Sequence, residues 1–512
     1  MVSNLPQHDG NDAAWASLAG DVHRLVQQNR AQDALAIVER FLGSTPDCRV
    51  VEPLRLRAQL LLSLGRPRQA VPAFEVAMAA APGDGRMLLG LAVAHGESGQ
   101  PEAAEVAARG ALAQSLDHPH VHYVLARALF EQDRFVEAEA ELRQVVATAP
   151  QHLAAHTTLA ELVWMRSGDM DAVAIALDAG SDARSRVELR MIKARMWRQT
   201  GAAERAYAEL APLLEAHPQH AALHVLAAEC ALQLDPPRAL ALITHALQLE
   251  PRSREAHRLH GDILLAAGLP EAAASLAGRL LALDRNDVSA FALQAAAWHA
   301  LGDPRYPALY DYPRLVRSCR IDVPPGWASL DDYLHDLAAS LHARHDPLQA
   351  HPPTQSARTG TQVELRPGSP SADRAVRAFP TAVDGAIRRY METVMATGAD
   401  AFSRRGTGRY RFSGMWSVRL KSQGHHASHF HGKGWISSAC HIEVPASLSD
   451  DDRGGWLKFG HELPSGSPPG HCVKPVSGVL TLFPSWMWHG TVPFVAAPGD
   501  YRLSVAFDVV PD

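Results

Sequence analysis

Three phrases, Gly65-Arg-Pro-Arg-Gln-Ala70-Val, Gly99-Gln-Pro-Glu-Ala-Ala104-Glu and Asp133-Arg-Phe-Val-Glu-Ala138-Glu, follow one another at intervals of 34 residues. Ala172 continues the series. Twelve residues before each of the four stands another alanine: Ala58, Ala92, Ala126 and Ala160. A helix, a tight turn and a second helix fill about 34 residues, and small side chains are needed where the two helices cross closely. Gly or Asp supplies the turn, and prolines such as Pro82 and Pro150 stop the second helix. The rhythm returns around Gly201/Ala206/Pro218, Ala228/Ala239/Pro251 and Gly268/Ala272, with 15–46 a looser first copy. Residues 14–303 therefore read as an all-α solenoid of helix pairs, behind a disordered N-terminus over 1–13.

A chain of 512 residues is too long for one core, so at least one further domain must follow. With 47% hydrophobic and 20% charged residues, the composition is that of a globular protein. The net charge of −6 gives no reason to expect a nucleic-acid or anionic-membrane partner. Cys48, Cys230, Cys319, Cys440 and Cys472 lack CxxC spacing. That argues against a disulfide framework or a cysteine zinc site and suits a reducing cytoplasm, the expected location. No run of 18 apolar residues exists, so no membrane span is expected. Met1-Val-Ser-Asn-Leu-Pro has neither the basic start nor the apolar run of a signal peptide.

After Gly302-Asp-Pro the alanine rhythm stops, and Tyr306, Tyr310 and Tyr312 appear. The segment 304–409 reads as linker and helical support, with helices over about 329–345 and 381–397. Between them, 345–370 is rich in Pro, Gly, Gln, Ser and Thr and reads as a long loop. From Tyr410 the pattern changes to period-2 segments at 411–420, 436–444, 456–460, 479–483 and 503–509. Turn signals such as those over 464–470 separate them, which predicts a β-sandwich or barrel of jelly-roll type over 410–512.

That last region carries the chemistry. His429 and His431, in Gly424-His-His-Ala-Ser-His-Phe-His431, are two apart, and on a strand such residues point to one face. His489 follows in Phe483-Pro-Ser-Trp-Met-Trp-His489, and Arg502 in Tyr501-Arg502-Leu-Ser504. Three imidazoles with open positions beside them describe a catalytic metal site rather than a closed structural one. A rival frame exists in His441-Ile-Glu443, an H-x-E pair on one strand. His425 and His426 read as polar loop residues at the site mouth, with further ligands or substrate-side bases as the alternative, Trp486 and Trp488 as packing, and Lys421, Arg419 and Gln362 as pocket-lining candidates. His118, His120, His122, His152 and His156 read as turn and surface residues of the solenoid.

These phrases, together with Trp416-Ser-Val-Arg-Leu, Gly455-Trp-Leu-Lys-Phe-Gly and Arg502-Leu-Ser-Val-Ala-Phe-Asp508, resemble the 2-oxoglutarate/Fe(II)-dependent oxygenases. More narrowly, they resemble the branch with N-terminal tetratricopeptide repeats, the family that the 34-residue units resemble. The resemblance implies a multidomain α + β protein: a repeat solenoid, then a double-stranded β-helix with flanking helices. It implies Fe(II) at His429, His431 and His489, with 2-oxoglutarate as co-substrate held by Arg502 and Ser504. A guanidinium fork binds a carboxylate bidentately and the hydroxyl adds a hydrogen bond. His431 stands where that superfamily has Asp or Glu, leaving the ligand set one negative charge short. A protein or peptide held by the solenoid is the expected partner or substrate. The alternatives are a non-catalytic interaction scaffold and a three-histidine dioxygenase that does not use 2-oxoglutarate.

Overall fold

The computed structural model describes residues 8–45, 50–178, 186–395, 405–448, 453–461 and 470–512. The turn expected over 464–470 lies almost wholly outside them. So does the start of the N-terminal segment, but its 8–13 part is ordered, because the first helix begins at His8 (His8–Gln27). The chain forms two compact units, Met1–Leu159 and Ala160–Asp512.

In the first unit the 34-residue period becomes helix pairs: Val51–Ser63 with Pro67–Ala80, Gly85–Glu97 with Pro101–Ala113, and Pro119–Glu131 with Phe135–Thr148. Ala58, Ala70, Ala92, Ala104, Ala126 and Ala138 are all buried, as close crossings require. The turn position recurs too. Gly65, Gly99 and Asp133 all adopt left-handed backbone, with φ of 67°, 75° and 61°. Gly does so freely, and Asp is among the few other residues that tolerate it. The solenoid histidines are local fasteners: His118 Nδ1 accepts from His120 N, His152 Nδ1 accepts from Ala155 N, and His156 Nε2 donates to Pro150 O.

The second unit continues the pairs with Arg186–Gln199/Ala203–Ala216, Ala221–Ala231/Pro236–Leu249 and Arg254–Ala266/Pro270–Leu283. Ala206 and Ala239 are fully buried in their cores, whereas Ala172 is only half-buried and, in the last pair, Ala273 takes the buried place expected of Ala272, which is exposed. The last repeat helix, Val288–Leu301, is apolar nearly all round because it is covered on two sides. One side packs on Leu276 and Ala277 through Leu293, Ala296 and Ala297. On the other, Phe291 meets Trp486 and the Ala292 carbonyl accepts from Trp488 Nε1 at 3.1 Å.

The described residues then form nine strands: β1 (Arg317–Arg320), β2 (Ala357–Glu364), β3 (Tyr410–His426), β4 (Ile436–Glu443), β5 (Leu457–Phe459), β6 (His471–Val473), β7 (Val479–Pro484), β8 (His489–Thr491) and β9 (Arg502–Pro511). They make a six-stranded sheet in the order β1-β7-β4-β9-β3-β2 and a three-stranded sheet in the order β6-β5-β8, antiparallel throughout. This corrects the reading of 304–409 as linker and helices alone, since β1 and β2 belong to the main sheet. β2 replaces the middle of the expected loop. It is an edge strand of polar residues, Ala-Arg-Thr-Gly-Thr-Gln-Val-Glu, and its ladder to β3 supplies the order that its composition does not advertise. Helices Leu330–His345 and Arg374–Met395 cover the outer face, where Leu503, Val505 and Phe507 are fully buried and Phe379 meets Phe507 at 6.2 Å.

Candidate metal centre

His429 and His489 are paired across the backbone: His429 N donates to His489 O and His489 N to His429 O, both at 2.9 Å. His431 N donates to Ser485 O at 2.8 Å. These bonds bring residues about 60 apart in sequence into one ladder, and the three rings then converge. Their centroids lie 4.3 to 5.1 Å apart, and one nitrogen from each ring lies within 4.8 Å of the others. His429 Nε2 and His431 Nε2 are 3.1 Å apart.

Each ring is turned by a partner on its other nitrogen. His429 Nδ1 donates to Ala427 O and His489 Nδ1 to Met487 O, both at 2.9 Å, so two histidines use the carbonyl two residues before them. His431 Nδ1 instead donates to the Asp508 carboxylate, at 2.7 Å from both oxygens. With Nδ1 carrying the proton, Nε2 presents its lone pair inward, the tautomer a metal ligand needs. Burial, followed by the neighbouring His431, pushes His429 down to about 3. Burial pushes His489 well below the ordinary imidazole range. Both remain neutral and available to a cation, so the donor set fits a divalent metal of the imidazole-binding class.

Asp508 is the site residue that sequence reasoning missed. It supplies, one ring removed, the negative charge that the His-x-His pair lacks. Its signal was parity: Arg502, Ser504 and Asp508 occupy alternate positions on β9 and so share the inner face. Ser437 Oγ also donates to Asp508, at 2.7 Å.

The rival frame is not assembled. His441 pairs in register with Ser504 and shares its inner face, but the register slips between His441 and Glu443. That bulge turns Glu443 outward, where it meets His342 Nε2 at 2.6 Å. Arg419 is also outward, paired with Asp346 at 2.7 Å and lying over the Tyr501 ring. Gln362 falls in register with Val418, itself the partner of Ser504. His426 is no loop residue: it ends β3, and its ring stacks on His429 at 6.0 Å. Trp486 packs as expected, while Trp488 also ties the site to the Val288–Leu301 helix.

Arg502 is 2% exposed, and among the described residues its guanidinium has no acidic partner and its Nε no acceptor. Burial lowers it to about 10. A buried cation left unpaired is costly.

Residues 414–508 match a family model described as "Putative 2OG-Fe(II) oxygenase". Residues 61–128, 97–162 and 233–288 match tetratricopeptide repeat models. No curated protein matches the sequence. Among solved structures, a tetratricopeptide repeat protein from Parabacteroides merdae is 16% identical, with TM-score 0.39 over 49% of this chain and 99% of that one. Yeast Tom70 is 16% identical, with TM-score 0.45 over 56% of this chain and 62% of that one. A Pseudomonas putida prolyl-4-hydroxylase is 17% identical, with TM-score 0.27 over 40% of this chain and 96% of that one. The chain thus matches tetratricopeptide repeat models within residues 61–288 and the "Putative 2OG-Fe(II) oxygenase" model over 414–508.

Proposed function

We propose that the C-terminal domain is an Fe(II)- and 2-oxoglutarate-dependent hydroxylase acting on a peptide or protein that the repeats recruit. His429, His431 and His489 would hold the iron through Nε2, with Asp508 fixing the His431 ring. Iron, O2 and 2-oxoglutarate supply the oxidising chemistry for C–H hydroxylation, with succinate and CO2 as co-products. Arg502 and Ser504 orient the co-substrate from the floor of the sheet, and the buried inner face excludes water. The observation that carries this reading is the uncompensated Arg502, on the same face as the carboxylate that holds His431. Tetratricopeptide repeats generally bind proteins, and the last repeat helix touches the Trp486–Trp488 segment directly before His489. Free thiols at Cys230, Cys319, Cys440 and Cys472 suit a reducing cytoplasm.

The test is succinate release from anaerobically purified, Fe(II)-loaded protein given 2-oxoglutarate and then O2. Release above a His489→Ala control supports the reading. Protein that neither binds 2-oxoglutarate nor releases succinate, even uncoupled, sinks it in favour of a scaffold or a dioxygenase with another co-substrate.

A further inference from the structure

His441 is 0% exposed, and neither of its ring nitrogens has a hydrogen-bond partner. Buried polar side chains are nearly always satisfied, so a histidine with both nitrogens unmet calls for a cause. A metal is not that cause, because the cation-binding cluster among the described residues contains only His429, His431 and His489.

The surroundings suggest an anion. His441 is the register neighbour of Ser504 across the β4–β9 ladder, and Arg502 lies two residues further along β9 on the same face. Across the other ladders the same row runs through Val418 to Gln362, which is also buried. The sheet interior therefore sets a guanidinium, a hydroxyl and an imidazole side by side, two of them holding unpaired buried nitrogens. No carboxylate of the described residues joins them. Burial disfavours a positive charge on His441, and the nearby Arg502 acts in the same direction. A neutral imidazole still keeps one N–H to donate. A carboxylate offers about four acceptor positions, enough for the guanidinium fork, the Ser504 hydroxyl and one imidazole N–H together.

We propose that His441 is a second carboxylate-binding side chain of the co-substrate site. It donates a ring N–H to the same carboxylate that Arg502 holds, and so selects a dicarboxylic over a monocarboxylic 2-oxo acid. This rests on the oxygenase reading above.

The experiment compares 2-oxoglutarate with 2-oxobutanoate, which has the same 2-oxo acid end and no distal carboxylate. Each is titrated anaerobically into the Fe(II)-loaded full chain and followed by calorimetry and by the visible absorption of the iron–2-oxo acid chelate. His441→Leu should weaken 2-oxoglutarate on the order of tenfold or more, the size of one hydrogen bond to a charged group, and leave 2-oxobutanoate and iron content unchanged. His441→Gln keeps an N–H donor of similar reach and should restore much of the loss. If both variants bind 2-oxoglutarate as wild type does, or if Gln loses as much as Leu, His441 is a packing residue and the proposal is overturned. Wild-type protein that binds neither acid overturns the oxygenase reading itself, and this inference with it.

Discussion

Asp508 and His431 are 77 residues apart in sequence, yet both carboxylate oxygens of Asp508 stand 2.7 Å from His431 Nδ1. The contact makes His431 unlike the other two histidines of the cluster, whose Nδ1 atoms bond to backbone carbonyls. A carboxylate behind a ligating imidazole raises its basicity and locks its orientation. The charge absent from the His-x-His pair is thus present one bond further out.

Asp508→Asn keeps the size and one acceptor but removes that charge. Divalent-metal affinity, measured by competition with a chelator, should fall about 10–100-fold. Circular dichroism should stay unchanged, because Ser437 can still bond to the amide. Unaltered affinity would make the Asp508–His431 contact a structural fastener only.

How far the sequence foretold this site depends on the range of each contact. Arg502 and Ser504 share the inner face of β9, as strand parity predicts, whereas His429 and His431 lie between β3 and β4, outside both strands, and are brought together by backbone bonds to His489 and Ser485. Asp508 lay on the same parity series of β9, but the β4–β9 register that sets Ser437 opposite it and the His431–Ser485 backbone bond that brings up His431 are long-range. Glu443 looked like a ligand because period 2 forecasts a shared face with His441, and a one-residue bulge breaks that period. The repeats were the clearest part, since Ala58, Ala92 and Ala126 meet the same close crossing at every turn of the period. β2 was invisible for the opposite reason: Ala357–Glu364 is polar and gains its order from the ladder to β3 and from bonds to His345 and Arg344 of the helix beside it.

Arg502→Met should separate stability from binding. An unpaired buried cation destabilises the fold, and an apolar side chain of similar volume relieves that cost. Without co-substrate, the variant should melt a few degrees higher than wild type by calorimetry. It should also lose the thermal shift that 2-oxoglutarate gives, with iron binding intact. A variant that melts lower would mean that Arg502 is held by a partner of its own.

The solenoid allows an independent check. Ala138 is fully buried within the Phe135–Thr148 helix, and the turn before it is closed by Asp133 in left-handed backbone. Ala138→Leu inserts bulk where the two helices cross and should cost ~1–3 kcal/mol. Chemical denaturation followed by helical circular dichroism would measure it. An unchanged midpoint would show that this crossing has room to spare.

Acid should weaken the metal-free protein well before its surface carboxylates titrate. Unfolded imidazoles take up a proton near pH 6.5. In the fold, burial holds His429 at about 3 and His351 at about 4, and holds His345, His441 and His489 well below the usual range. Between those values and about 6.5 the unfolded chain binds more protons than the folded one, so stability rises with pH. The contribution is complete above about pH 7 and is lost as pH falls through 6 and 5. Asp262, raised by burial to about 6, and His122, raised because its pairs with Glu141 and Asp117 outweigh burial, work the other way, but the lowered histidines outnumber them. The melting temperature of chelator-treated protein should therefore drop steadily from pH 7 to pH 5. His351→Leu removes one of the lowered histidines and should make that slope shallower. A flat profile would mean that the fold opens to let these rings protonate in place, and a rising one that they gain acidic partners on protonation.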